Sequence, residues 1–166
     1  EMDRIVARDS LSAIEKLNKI FAVSRQIKLD KIDEVLRIFR LMYRPENLRL
    51  RDRIESSIIS RTTKKVAHVV GQGIEDGTLN AKFPEESSRL IFRMGEGLKE
   101  ETAEMFLDEG VKVDSEELAR KYDAYESAIE RILGAPEGSI DLLGEEDLDK
   151  FVWHLNKAKA GKNQIL

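Results

Sequence analysis

The chain has 166 residues, a length for one domain with room to bury a core. Hydrophobic residues make up 41% and charged residues 36%, as in an ordinary folded soluble protein, and a net charge of −4 gives no sign of a phosphate-binding surface. Cysteine is absent, which excludes disulfides, thiolate metal sites and a thiol nucleophile; no apolar run reaches the ~18 residues of a membrane span and no signal-peptide pattern opens the chain, so the expected location is cytoplasmic.

Three prolines and ten glycines favour long helices over many short strands. Residues 1–8 read as a short helix or arm. Asp9, Ser10 or Ser12 can cap the next helix, and Ser12 with Glu15 has the spacing of a capping box. Ile14, Leu17, Ile20 and Phe21 give that helix an apolar face. The stretch "SRQIKLD" reads as a loop ending at Asp30, a plausible N-cap.

From Lys31 to Arg44 the polar residues Asp33, Arg37, Arg40 and Arg44 share one narrow stripe, and apolar residues cover most of the remaining girth. Such a helix is expected to be enclosed by others. Pro45 suits the first turn of a following helix, because its missing N–H costs nothing there. That helix is expected to run to about Asp76, with a possible break midway. Its inward stripe reads Leu48, Ile58, Ile59, Thr62, Val66, Val69, Val70 and Gly73.

"GQGIEDGTLNAKFPEE" then reads as a helix stop, a turn and a helix start. Gly77 stands where a left-handed residue belongs. Pro84 fits the first position of the new helix, and Glu85 and Glu86 face the positive end of its dipole. From Pro84 to about Glu109 two apolar faces are predicted. One carries Leu90, Ile91, Met94, Leu98 and Met105. The other carries Ser88, Phe92, Gly95, Thr102 and Phe106, with small residues seven apart. Ser115 is expected to cap a helix whose seam, Leu118, Tyr122, Tyr125, Ile129 and Ile132, alternates spacings of four and three like a coiled coil. Gly134 and Pro136 end it. A last helix carries Leu148, Phe151, Val152, Leu155 and Ala158, and the tail "GKNQIL" is expected to fray. The sum is one all-α domain over residues 1–166, a bundle of about six to eight helices.

No reaction is written in this pattern. His68 and His154 lack metal-ligand neighbours at helical spacing, and His68 falls on a polar face where a solvated side chain is the plain expectation. Gly71-Gln72-Gly73 is not a dinucleotide loop, since Asp76 stands where a third glycine would and no strand precedes it. Walker and G-x-S-x-G sequences are missing. The carboxylates Glu96, Glu100, Glu101, Glu104, Asp108 and Glu109 read mainly as solvated arcs of one helix. Six arginines between Arg37 and Arg53 read as a polar stripe, with a nucleic-acid patch as the rival. The expectation is therefore a non-enzyme without cofactor or metal.

Candidate binding residues come from the inward faces. Arg51, Glu55 and Thr62 interrupt the apolar stripe of the long helix. Arg51 and Glu55, four apart, can form a salt bridge at the rim or supply polar contacts in an internal pocket. Phe21, Leu36, Phe39, Tyr43, Ile58 and Met94 are core by the plain reading and pocket lining by the functional one. The ligand suited to such a set is small and mostly apolar.

Read with its flanks, the opening of the second half resembles the C-terminal regulatory domain of TetR/AcrR-type bacterial transcription regulators. The carriers are Gln72-Gly73-Ile74-Glu75-Asp76-Gly77 followed by Pro84-Glu85, together with "SLSAIEKLNKIF", "YRPENLRLRDRI" and "AIERILGAPEGSIDLL", in the expected order along most of the chain. The resemblance implies a homodimer through residues 84–109 and 116–133, with Ser88, Phe92, Gly95, Thr102, Phe106, Tyr122, Tyr125 and Ile129 at the interface. It also implies an effector held among the N-terminal helices. Such regulators begin with a helix-turn-helix domain, for which these residues leave no room, so DNA binding is expected only through a head outside this chain. The rival from another class is a free-standing helical adaptor that binds a partner helix in a groove.

Overall fold

The computed structural model describes residues 1–108, 110 and 112–160, without the side chains of Glu104, Glu145, Glu146, Ala158 and Ala160. The expectations placed on Glu104, Glu109, Ala158 and the tail "GKNQIL" lie outside the described residues. The described chain is all-α, with no strand. Seven α-helices follow one another: α1 Met2–Val6, α2 Ala13–Asp30, α3 Ile32–Met42, α4 Leu48–Glu75, α5 Pro84–Leu107, α6 Ser115–Leu133 and α7 Glu145–Ala160. A 3-10 turn, Pro45–Asn47, precedes α4. Among the described residues no helix is long and apolar enough to cross a membrane.

The start of α2 is set by its cap. Ser12 Oγ accepts the Glu15 N–H at 3.3 Å, and Glu15 accepts the Ser12 N–H at 2.8 Å. The expected loop at 24–30 is instead the last two turns of this helix. The stretch holds no glycine or proline, and its Arg, Gln, Lys and Leu are good helix formers. Asp30 therefore ends α2 rather than capping α3, whose N-cap is Lys31 without a side-chain hydrogen bond. α3 is less enclosed than its composition suggested: Ile32 and Leu36 are buried, whereas Ile38 and Leu41 are 59% and 51% exposed.

α4 runs 28 residues without a break. Its buried stripe is Ile59, Thr63, Val66, Val69, Val70 and Gly73, so the expected inward positions Leu48 and Ile58 lie on exposed surface. At its end Gly77 takes a φ of +77°, a left-handed conformation that glycine adopts without a Cβ clash. The Leu79 N–H then returns to the Gly73 carbonyl at 2.8 Å. α5 begins at Pro84 and runs antiparallel to α4, as the pairing of Arg51 with Glu100 near the far end of both helices requires. The cap of α6 is Asp114, one residue before the expected Ser115; its carboxylate accepts the N–H groups of Glu116 and Glu117.

Two apolar cores result. One gathers α2, the second half of α4, the start of α5 and the end of α6 around Leu17, Val69, Val70 and Leu133. The other gathers α3, the end of α5, the start of α6 and α7 around Leu36, Phe106, Leu118 and Leu155. The 134–144 loop is tied down by side chains rather than by repeating backbone bonds. Asn18 bonds Ser139 and Asp141, buried Glu130 accepts the Ile140 N–H, Glu126 accepts that of Leu142, and Arg25 donates to the Leu142 carbonyl.

Candidate functional site

Between α3, α4 and α5 the fold brings aromatic and charged side chains to one place. Tyr43 closes α3 and stacks on Phe39, one turn earlier, with ring centroids 4.4 Å apart. The Arg51 guanidinium, from the start of α4, lies 4.2 Å from the Tyr43 ring centroid, a cation–π geometry. The same guanidinium reaches Glu100 of α5 at 3.3 Å. Glu55, one turn along α4, accepts a hydrogen bond from Lys99 of α5. The expected Arg51–Glu55 pair is thus replaced by two ion pairs that cross from α4 to α5, because antiparallel packing sets opposite charges face to face.

Glu96, one turn before Lys99 and Glu100, completes the cluster. One of its oxygens accepts from Arg93 at 2.9 Å. Its other oxygen, Oε1, is buried without a hydrogen-bond partner, and so is the Tyr43 hydroxyl. Burial pushes the Tyr43 phenol up to about 12; Arg51 opposes the shift, and the carboxylates of Glu55, Glu100 and Glu96 add to it. The phenol therefore keeps its proton at neutral pH.

Of the predicted ligand residues, Phe39, Tyr43, Arg51 and Glu55 meet here, with Leu36 buried in the core beside Phe39. Phe21 and Met94 pack instead against the first core. Ile58 is 49% exposed, and the Thr62 hydroxyl donates to the Ile58 carbonyl of its own helix. Sequence reasoning took Glu96 for part of a solvated arc and did not single out Lys99. Glu96 and Glu100 are four apart, as are Arg51 and Glu55, a signal legible only once the two helices are known to pair.

The predicted interface residues divide differently. Ser88, Thr102, Phe106 and Ile129 are inside this chain, 0%, 2%, 8% and 2% exposed, and so are not free to meet a second copy. The Ser88 and Thr102 hydroxyls donate to the Pro84 and Leu98 carbonyls, and Phe106 meets Phe151 edge-on at 5.4 Å. α5 packs on both α4 and α6 of its own chain, while Leu90 of its first apolar face stays 55% exposed. Phe92 and Tyr122 are half-buried against the two cores. The half-buried Tyr125 donates to Glu101 at 2.9 Å, and Gly95 is exposed with nothing within 4 Å of where a Cβ would stand.

Two open clefts lie elsewhere. One, of about 340 Å³, joins the α1–α2 connection to the end of α4; on its wall the buried Lys16 donates to Gln72 at 2.8 Å. The other, of about 290 Å³, lies between α6 and the 134–144 loop and is lined by Tyr122, Glu126 and Asp141, among others. Burial, with the nearby charges of Asp141 and Asp123, raises the Glu126 carboxyl against the hydrogen bonds it accepts from the loop. None of the predicted ligand residues lines either cleft. His68 is exposed and lies 3.3 Å from the Gln72 amide. Among the described residues no three His, Asp or Glu side chains converge as a metal site. Compared with known proteins, the chain matches no family model, no curated protein and no solved structure.

Proposed function

We propose that the chain is an effector-sensing and homodimerising domain of a TetR/AcrR-like transcription regulator, acting in the cytoplasm and without catalytic activity. The observation that carries this reading is the cluster between α3, α4 and α5. There an aromatic floor and two cross-helix ion pairs surround two buried polar atoms left without partners. A group left so costs about 1–3 kcal/mol, a cost that a bound ligand removes. Further support comes from the helix order and from the Gln72–Gly77 turn that joins α4 to an antiparallel α5.

In this reading a small, mostly apolar effector settles in the cluster and shifts α5 relative to α4. Two copies, joined through α5 and α6, carry DNA-reading heads contributed by chain outside these residues. Such heads address half-sites about 34 Å apart, so a small tilt changes operator affinity. With Ser88, Thr102, Phe106 and Ile129 occupied internally, pairing falls to the strip that remains outward. Its exposed members are Gly95 on α5 and Ala124 on α6, with the half-buried Tyr125 and Ala128 next along α6.

Gly95→Arg tests the pairing. The new side chain enters open space, so the helical fold and melting behaviour of the single chain are expected to survive. Sedimentation of the unaltered chain should show a dimer, and of the variant a monomer. If the unaltered chain sediments as a monomer, the second reading gains: a helical adaptor that uses the exposed row Leu50, Ile54 and Ile58 on α4.

A further inference from the structure

The outer face of α4 takes no part in the proposed role, in which pairing falls to α5 and α6. Among the described residues ten large apolar side chains are exposed, and six of them crowd between positions 38 and 58: Ile38, Leu41, Leu48, Leu50, Ile54 and Ile58. Leu50, Ile54 and Ile58 are 51%, 42% and 49% exposed and recur every fourth residue of α4. They therefore form one ridge about 12 Å long on one side of the helix, the kind of row that fits a groove on another helix.

The charges around this ridge are one-sided. Between Asp33 and Lys65 nine cations stand against five carboxylates, a surplus of four in a chain whose net charge is −4. Asp33 and Glu34 match Arg37 and Arg40 in number, as Glu46 matches Arg44, so the surplus belongs to α4. There Arg51 is paired with Glu100, Lys65 with Asp3 and Glu55 with Lys99. Arg49, Arg53, Arg61 and Lys64 are exposed and form no ion pair among the described residues; Arg61 donates only to the Ser57 carbonyl of its own helix. Counted round the helix from Ile54, Arg61 stands about 20° away, Lys64 about 80° and Arg53 about 100°, whereas Asp52 stands about 160° away on the far side. An aliphatic ridge offers nothing to a phosphate backbone, and the aromatic rings of this region, Phe39 and Tyr43, stack on each other and leave no platform for bases. The ridge spans about 80° of the helix, a narrow seam of the kind one helix offers another, with cations close beside it, and no broad face to lay on lipid.

We propose that the α4 ridge docks an amphipathic helix of a partner protein, with aliphatic side chains against Leu50, Ile54 and Ile58 and Asp or Glu side chains beside Arg53, Arg61 and Lys64. The test uses the chain itself and three probes: a fluorescent helical peptide whose leucine seam is flanked by glutamates, the same peptide with lysines for the glutamates, and phosphatidylglycerol vesicles. By fluorescence anisotropy the glutamate peptide is expected to bind at least about tenfold more tightly than the lysine peptide, and the difference to shrink with added salt. Arg53→Glu, Arg61→Glu and Lys64→Glu together are expected to reverse that preference. Ile54→Ser with Ile58→Ser is expected to weaken the glutamate peptide about tenfold. All five positions are exposed, so both variants are expected to melt close to the unaltered chain. Equal binding of the two peptides, or no binding of the glutamate peptide by the folded chain, overturns the proposal and the adaptor reading with it. So does vesicle binding in place of peptide binding, which assigns the ridge to lipid. Conversion of the chain's own dimer to a monomer by the serine variant also overturns it, since a second copy then covers the ridge. Failure with the peptides leaves the Gly95→Arg test of pairing through α5 intact, so the sensing role and this one fail separately.

Discussion

Gly73→Ala is the sharpest check on how the first core is packed. A Cβ built on Gly73 would stand 2.6 Å from two atoms of Leu79 and 2.7 Å from the Ala13 Cβ. Carbon atoms pack at about 3.5–4.0 Å, so the methyl overlaps its neighbours by roughly 1 Å at two walls. Neither wall yields easily. Ala13 is 2% exposed with no rotamer to change, and Leu79 is 3% exposed with its N–H fixed to the Gly73 carbonyl. Overpacking of this kind costs about 1–3 kcal/mol, and an accompanying backbone shift pushes it to the upper end; alanine's better helix propensity returns about 1 kcal/mol. The net expectation is a loss of about 2 kcal/mol, or a melting temperature lower by about 4–8 °C for a domain of this size. Gly71→Ala is the control. It lies two residues earlier in the same helix, has nothing within 4 Å of its Cβ, and should gain about 0.5–1 kcal/mol. Urea unfolding of the three proteins measures both effects. A Gly73→Ala chain as stable as the Gly71→Ala chain would refute the close approach of α2 to the end of α4.

Two further outcomes concern the 134–144 loop. Arg25 donates to Asp147 at 2.7 Å and to the Leu142 carbonyl at 2.9 Å with its side chain 15% exposed, so Arg25→Ala should cost about 1.5–3 kcal/mol in urea unfolding, and Arg25→Lys, which lacks the fork, should recover only part of it. Glu126 has its folded pKa raised from an ordinary 4.5, chiefly by burial, so the folded state binds the proton more readily than the unfolded one. Stability from this group is full below pH 4.5 and falls as pH rises through the raised value; Glu126→Gln should flatten that fall, gaining on the unaltered chain as pH rises above 4.5 while its amide oxygen still accepts the Leu142 N–H.

The helices were legible because they are bounded by chemistry that acts locally. The Ser12–Glu15 box, the Gly77 and Gly134 stops and Pro84 at the head of α5 all perform in the structure the roles their positions implied. Where sequence reasoning slipped, the deciding contact came from far along the chain. The Ser24–Asp30 stretch looked like a loop, yet its Arg25 bonds a loop more than a hundred residues away. Glu130 was not singled out on α6, yet it is 5% exposed and its carboxylate accepts the Ile140 N–H from the loop. The second apolar face of α5 was read as needing a second copy of the chain. A helical wheel cannot tell whether that neighbour is a twin molecule or the next helix of the same chain, and for Ser88, Thr102 and Phe106 it is the chain itself. The candidate site was half legible: the aromatic and α4 residues were found, and the α5 residues that complete it were not.

Under the proposed function, one adjacency links sensing to pairing. Gly95 and Glu96 are consecutive on α5, one on the outward strip and the other with a buried, unpartnered oxygen facing the cluster. On an α-helix they lie about 100° apart, so a rotation that brings Glu96 onto a ligand must also turn the outward strip. Both α4–α5 ion pairs lie within five residues of Gly95 along α5, at Lys99 and Glu100, so such a turn must also stretch or reset them. Binding free energies are reciprocal: if the ligand changes the dimer's association constant by some factor, dimerisation changes ligand affinity by the same factor. The prediction is a dimer dissociation constant that shifts by about 5-fold or more when the chain is saturated with a lipophilic compound that raises its melting temperature, the lower end of ordinary coupling. The Gly95→Arg monomer should then bind that compound with an affinity changed by the matching factor. Sedimentation with and without the compound reads the first quantity, and calorimetry on the monomer reads the second. Tight binding with no change in either would break the link between sensing and pairing along α5.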